Sequence, residues 1–330
     1  MIISRTPLRV SFVGGGSDLE EFYRHEPGAV VTTAIRKYIY ITVNRKFDSS
    51  IRASYSVTEM VDSVDDVRHE LIRECLKKRK IDGAIEITSI SDIPSQGTGL
   101  GSSSTYTVGL LKALYAYGSE HVGAERLARE ACDIEIGQCR KPIGKQDQYI
   151  AAYGGLQYVQ FNPDGTVFVE PIVCSAGTRR RLESNLLLLY TGITRSADTI
   201  LAEQKRNLSD RSRRDALRHA VRLARDLKEA LVANDLTTFG EILHEGWMVK
   251  KSMAEGTSNS QIDQWYAAAR ASGAVGGKIT GAGGGGFLLL YAPQDDHPRI
   301  CQALPGLKPV SLRFEPQGAR IVYVEETDSD

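Results

Sequence analysis

The sequence predicts an α+β fold in two domains, on three observations. Strand-like segments dominate the first half, and they lack the regular strand–helix alternation of a doubly wound sheet. At 330 residues the chain is long for a single core. A polar, basic stretch at 176–183 marks a boundary, dividing the chain into 1–178 and 179–330.

Residues 8–13 read as a strand running into Gly14-Gly15-Gly16. The β-branched and aromatic residues of 29–43 give one or two further strands. Val67, Leu71, Ile72, Cys75 and Leu76 fall at helical spacing within 67–80. Residues 84–90 form a strand that leads through Pro94 into a glycine–serine loop. Residues 106–117 are apolar at helical spacing, so that loop opens a helix, and 124–138 form the next one. Residues 154–173 make a hairpin turned at Asn162-Pro163-Asp164-Gly165.

In the second half, 186–190 is a continuous apolar strand. Leu217, Val221, Ala224, Leu227 and Leu231 share one face of a helix over 215–233, and the basic run 205–214 before it is a solvated face. A second glycine-rich loop at 281–286 precedes the strand 287–291. There are no internal repeats, and the acidic end, 325–330, is expected to fray.

Composition narrows the function. Hydrophobic residues are 42% and charged residues 25%, as in soluble globular proteins. Lys+Arg and Asp+Glu are both 41, and this zero net charge argues against a dedicated nucleic-acid binder. The five cysteines are odd in number and form no CxxC pair, so a disulfide framework and a zinc site are not expected. No signal peptide and no membrane-length apolar run stand out, so a cytoplasmic protein without membrane contact is expected.

Four segments have the shape of a site. The first is Pro94-Ser95-Gln96-Gly97-Thr98-Gly99-Leu100-Gly101-Ser102-Ser103-Ser104, between a strand and a helix. Glycines allow close backbone approach, and the N–H groups and dipole of a helix start favour a polyphosphate. The loop is neither a Walker A nor a GxGxxG fingerprint, which disfavours a dinucleotide-dependent oxidoreductase. The second is Lys278-Ile279-Thr280 followed by Gly281-Ala282-Gly283-Gly284-Gly285-Gly286, whose glycines carry an entropic cost that close packing on a phosphate loop or substrate would explain. The third runs from Arg5-Thr6-Pro7-Leu8-Arg9 to Gly14-Gly15-Gly16-Ser17-Asp18; Asp18 is either a site carboxylate or a helix-capping residue. The fourth is Gly144-Lys145-Gln146-Asp147-Gln148, where Asp147 could cap a helix or act as a general base.

In order and spacing, these segments resemble the GHMP kinases over nearly the whole chain. Gly99 to Ser103 is similar to that family's phosphate loop, and Thr280 to Gly286 to its C-terminal glycine motif. The Arg5-Thr6-Pro7 start, the triple glycine before Ser17-Asp18, Gly99 to Ser104 and Gly144 to Gln148 look most like the branch of D-glycero-D-manno-heptose 7-phosphate kinases. The resemblance implies an N-terminal domain like the second domain of ribosomal protein S5 and a ferredoxin-like C-terminal domain. It also implies ATP and Mg²⁺ as cofactors, a sugar phosphate as partner, and a monomer or homodimer.

By the same resemblance, Asp147 is the catalytic aspartate and Arg9 the basic residue that keeps it ionised. Gly97, Thr98, Gly99, Leu100, Gly101, Ser102, Ser103 and Ser104 bind ATP. Ser103, or its neighbour Ser102, and Glu135 bind the metal, with Glu130 as the competitor to Glu135. Gly15, Gly16, Ser17, Asp18, Arg195, Gly283 and Gly284 bind the substrate. Lys250, Lys251 and Lys145 are further candidates for the cation that meets a 7-phosphate. His244 lies near Trp247 and reads as a structural histidine more than a pocket residue. The implied reaction is phosphorylation of the anomeric hydroxyl to give a 1,7-bisphosphate for surface-glycan precursors. The alternatives are a 1-kinase of an unphosphorylated sugar of fucose or mannose type, or a catalytically silent sugar sensor.

Overall fold

The chain is described from a computed structural model covering residues 1–94, 97–194, 197–208 and 210–325. Among the described residues twelve strands form two sheets. The larger sheet contains β1 (Ile2–Val13), β2 (Gly28–Arg45), β3 (Ile51–Ser54), β4 (Thr58–Val61), β5 (Ile85–Ser91), β6 (Leu156–Phe161) and β7 (Val167–Pro171). The smaller one contains β8 (Leu186–Tyr190), β9 (Gly276–Ile279), β10 (Phe287–Tyr291) and β11 (Lys308–Val310). The last strand, β12 (Arg320–Val324), returns to the larger sheet and pairs with β1, although residue 178 is the boundary expected from sequence.

The larger sheet runs β12-β1-β2-β5-β3-β4 and is antiparallel except for β3 against β5. At 18 residues β2 is long enough to serve two neighbours on one edge. Its first half pairs with β6 and its second half with β5, and between them residues 313–315 bond to Ala34 and Arg36. The smaller sheet is β11-β8-β10-β9, all antiparallel.

The helices are α1 (Glu20–Tyr23), α2 (Glu70–Arg79), α3 (Ser102–Tyr117), α4 (Ala124–Cys132), α5 (Gln146–Tyr153), α6 (Ala176–Asn185), α7 (Ala197–Asn207), α8 (Arg211–Val232), α9 (Leu236–Lys251), α10 (Ser260–Ala271) and α11 (His297–Ala303). Helix α3 is apolar all round and accordingly central: Val108, Leu110, Leu111 and Leu114 are fully buried as it crosses β1 and β2. Gly109 permits that crossing, because a Cβ there would lie 2.7 Å from Thr6 Oγ1. Helix α8 buries the predicted face of Leu217, Val221, Ala224, Leu227 and Leu231 against α9 and the first two strands. Phe12 of β1 meets Phe239 of α9 edge to face at 5.2 Å, joining the two halves in one core.

The structure adds detail to three expectations. The stretch 176–183, expected to mark a boundary, lies within α6, whose start is capped by Ser175 Oγ accepting from the Thr178 N–H and whose Leu182 is buried. Residues 29–43, expected to give one or two strands, belong to the single strand β2. The helix expected over 124–138 ends at Cys132 and continues as a π-helical turn over Asp133–Gln138. Of the acidic end expected to fray, 325–330, all but Glu325 lies outside the described residues. Among the described residues no helix is long and apolar enough to cross a membrane.

Candidate active site

The site forms where the two glycine loops meet. Gly101 is the N-cap of α3, in the left-handed region at φ 80°, and no side chain caps that first turn. The leading N–H groups of a helix have no intrahelical partner, so those of Ser102, Ser103 and Ser104 are available to an anion. The second loop packs directly against the first. A Cβ on Gly281 would lie 2.4 Å from Gly99 Cα, and one on Gly286 would lie 2.4 Å from the Thr98 carbonyl. Thr280 Oγ1 donates to that same carbonyl at 3.1 Å. Backbone against backbone is the reason the sequence carries glycine at these positions.

Arg9 and Asp147 meet beside the bend. Arg9 Nε donates to Asp147 Oδ1 at 2.6 Å and Nη2 to Oδ2 at 2.7 Å. Its third nitrogen, Nη1, donates to the Gly99 carbonyl at 2.6 Å, and its backbone N–H donates to the Leu100 carbonyl. One guanidinium thus fixes both the carboxylate and the loop. Arg9 is 4% exposed, whereas the Asp147 side chain is 22% exposed and can still meet a ligand. Asp147 lies in the first turn of α5 without capping it.

Two cavities share this pair. The outer one is lined by Gly97 to Gly99, Gly101 to Ser104, Lys141, Gly283 and Gly285. The inner one is lined by Ser11, Gly15, Gly16, Asp18, Lys250 and Lys278. Arg9 and Asp147 line both. A third cavity, missed from sequence, touches Ser102 and Ser103 and is walled by Ile39, Tyr55, His69, Ile93 and Tyr106. The His69 ring sits 4.5 Å from Tyr55 and 5.1 Å from Tyr106, and the buried Tyr106 hydroxyl has no hydrogen-bond partner.

Asp18 is buried at the inner cavity. It accepts from Gly16 N–H (2.9 Å), Gln146 N–H (3.2 Å) and Gln146 Nε2 (3.1 Å). Burial, and then the charge of Asp147, raise its pKa. It does not cap the helix that follows it, α1; its bond to the Gln146 N–H meets the first residue of α5. Glu135 is fully buried on the π turn, and its Oε2 accepts from Gln148 Nε2 at 2.6 Å. Burial pushes its pKa up to about 7, against the opposing influence of the nearby Ser104, Gln148 and Ser103 groups. Glu135 Oε1 and Ser104 Oγ, both buried, have no partner. Glu130 is elsewhere, accepting from Tyr115 and Arg126.

The remaining predicted residues separate into several kinds. Leu100 is wholly buried, so it serves the loop by packing. Ser17 is buried too, donating to Gly14 and accepting from Ala29 N–H. The Gly284 N–H bonds to the Thr257 carbonyl. Lys251 pairs with Asp263, Lys145 donates to the Gly165 carbonyl, and His244 bonds Tyr266. Arg195 lies outside the described residues. Lys278, quoted in the glycine motif but given no role there, is 5% exposed and lines the inner cavity.

The chain resembles known proteins in both sequence and fold. Residues 67–155 match the GHMP kinases N terminal domain and residues 227–307 the GHMP kinases C terminal domain. The chain is 31% identical to D-glycero-alpha-D-manno-heptose 7-phosphate kinase of Campylobacter jejuni, over 92% of this chain and 93% of that one. It is 24% identical to the bifunctional fucokinase/GDP-fucose pyrophosphorylase of Arabidopsis thaliana, over 87% of this chain and 29% of that protein. The crystal structure of a D-glycero-D-manno-heptose 1-phosphate kinase from Bacteroides thetaiotaomicron superimposes with a TM-score of 0.82 at 25% identity, covering 99% of this chain and all of that one.

Proposed function

The chain belongs to the GHMP kinases and is an ATP-dependent sugar kinase, and we propose that its acceptor is the anomeric hydroxyl of D-glycero-D-manno-heptose 7-phosphate. The product would be the 1,7-bisphosphate, a precursor for nucleotide-activated heptose. The observation that carries this reading is the Arg9–Asp147 pair, which borders both the loop cavity and the inner cavity.

In this reading ATP lies with its phosphates on the N–H groups of Ser102 to Ser104 and its base in the cavity of Tyr55, His69 and Tyr106. The sugar occupies the inner cavity. Asp147 accepts the proton of the attacking hydroxyl as the oxygen bonds to the γ-phosphorus and ADP departs with the bridging oxygen. An anomeric hydroxyl is more acidic than an ordinary alcohol, so a carboxylate is a sufficient base. Arg9 orients the Asp147 carboxylate through two parallel bonds and holds Gly99 in register. Asp18 uses three of its carboxylate lone-pair sites within the protein, which leaves one for a sugar hydroxyl.

The unpartnered Glu135 Oε1 and Ser104 Oγ fit a divalent cation, since both are hard oxygen donors buried beside Ser103. Among the described residues no cluster of three or more His, Cys, Asp or Glu side chains could hold a metal alone, so binding here would rely on nucleotide phosphates. Mg²⁺ when bound would neutralise phosphate charge; Glu135 and Ser104 are the residues that would hold it, with Ser103, the serine expected from sequence, beside them.

The test is an assay of ADP formation from ATP with heptose 7-phosphate, fucose and mannose, with the product identified by ³¹P NMR. A phosphate at C1 of heptose 7-phosphate is expected. Turnover of a free hexose with none of the 7-phosphate would reject this acceptor.

A further inference from the structure

Two buried lysines at the inner cavity are left without a role by the transfer chemistry. Lys278, in β9, donates to the Phe12 carbonyl at 2.9 Å. Lys250, in the last turn of α9, donates to the carbonyls of Ile279 (3.1 Å) and Gly281. Among the described residues neither ammonium has a carboxylate within 4.0 Å. The two carboxylates of this cavity are occupied: Asp147 by Arg9, and Asp18 by the Gly16 and Gln146 amides. Ser11 lines the same cavity at 5% exposure, and its Oγ has no partner.

An ammonium buried without a counter-ion is costly, and a native fold that retains two around one cavity is arranged for an anion. Burial and the charge of Arg9 lower the pKa of Lys278 to about 7, and burial with Lys278 and Arg9 lowers that of Lys250, as expected for cations that lack one. The nucleotide does not fill this need. Lys250, Lys278 and Ser11 line the inner cavity and are absent from the lining of the phosphate-loop cavity. The anion therefore arrives with the acceptor.

We propose that Lys278, Lys250 and Ser11 form an anion subsite that holds a phosphomonoester carried by the acceptor. The proposal rests on the kinase reading above and deepens it, because it makes the acceptor a sugar phosphate whatever its stereochemistry. Two ammonium groups give charge-assisted bonds to phosphate oxygens, and the Ser11 hydroxyl supplies a third donor.

The test compares kcat/KM for one sugar in phosphorylated and unphosphorylated form, in the wild type and in Lys278→Met and Lys250→Met. The wild type is expected to favour the phosphorylated acceptor by at least 100-fold, and each variant to reduce that ratio at least tenfold, mainly through KM. A wild type without preference, or variants that lose both acceptors in parallel, would overturn the subsite while leaving the kinase intact. No transfer from ATP to either acceptor would instead defeat the kinase reading. Should the variants fail to fold, the wild type decides: at saturating ATP, inorganic phosphate is expected to compete with the sugar phosphate, and absence of competition up to about 50 mM, well above the strength of an ordinary two-lysine phosphate site, overturns the proposal.

Discussion

Arg9 grips both carboxylate oxygens of Asp147 at 2.6 and 2.7 Å while its third nitrogen holds the Gly99 carbonyl. Lysine at this position could not reproduce that fork. Arg9→Lys is therefore expected to lower kcat by roughly 100-fold or more with a smaller effect on the KM for ATP. Arg9→Met should also destabilise the fold by roughly 2–4 kcal/mol, below the cost for a fully buried pair because Asp147 is 22% exposed. Steady-state kinetics and urea melts check both.

Gly281 stands at φ 61° with its absent Cβ only 2.4 Å from Gly99 Cα. Gly281→Ala combines left-handed strain with a clash between two backbones, at a cost of about 2–4 kcal/mol. The phosphate loop should shift, so kcat/KM for ATP falls more than the melting temperature alone would explain. Gly306→Ala is the comparison: its φ is also positive, but a Cβ there meets open space.

Glu135 gives a pH signature. Its pKa rises from 4.5 to about 7 on folding, so the folded state holds a proton that the unfolded state has lost over that window. The unfolded state then binds fewer protons, and stability falls as pH rises from 4.5 to 7. In the ligand-free protein, Glu135→Gln should abolish this loss, which is on the order of 3 kcal/mol. The same variant should raise the Mg²⁺ concentration needed for half-maximal rate by at least about tenfold. Thermal melts from pH 5 to 8 and a Mg²⁺ titration measure the two effects.

Tyr106 presents an unpartnered buried hydroxyl at the aromatic cavity beside Ser102 and Ser103. If that hydroxyl reads the nucleobase, Tyr106→Phe raises the KM for ATP by roughly 3–10-fold, one hydrogen bond's worth. The KM for the acceptor should be unchanged. Measuring both constants separates the base pocket from the sugar pocket.

Much of the fold was legible because local chemistry and tertiary role agree. The α8 stripe from Leu217 to Leu231 and the apolar strands 186–190 and 287–291 bury as their spacing requires. The glycine-rich loop 281–286 implied close packing, and the contacts of Gly281 with Gly99 and of Gly286 with Thr98 are that packing. Other parts carry no local signal. Residues 176–183 lack an apolar stripe and fold as a helix around Leu182 and a Ser175 cap. Strand β12 depends on a partner more than 300 residues away, β1, and its exposed Val322 and Val324 give no alternation of buried and exposed positions to detect. Lys278 precedes the glycine-rich loop, but a lone lysine in a sequence reads as solvated; only the fold reveals its burial. The cavity around His69 and Tyr106 joins residues from five separate segments, so periodicity could not assemble it.

Phosphoryl transfer here depends most on Asp147 as the base, and the most direct measurement is single-turnover transfer by Asp147→Asn alongside nucleotide binding by calorimetry. The predicted result is a rate lowered by at least about 10³-fold with ATP affinity within threefold of wild type. Transfer at close to the wild-type rate would contradict it.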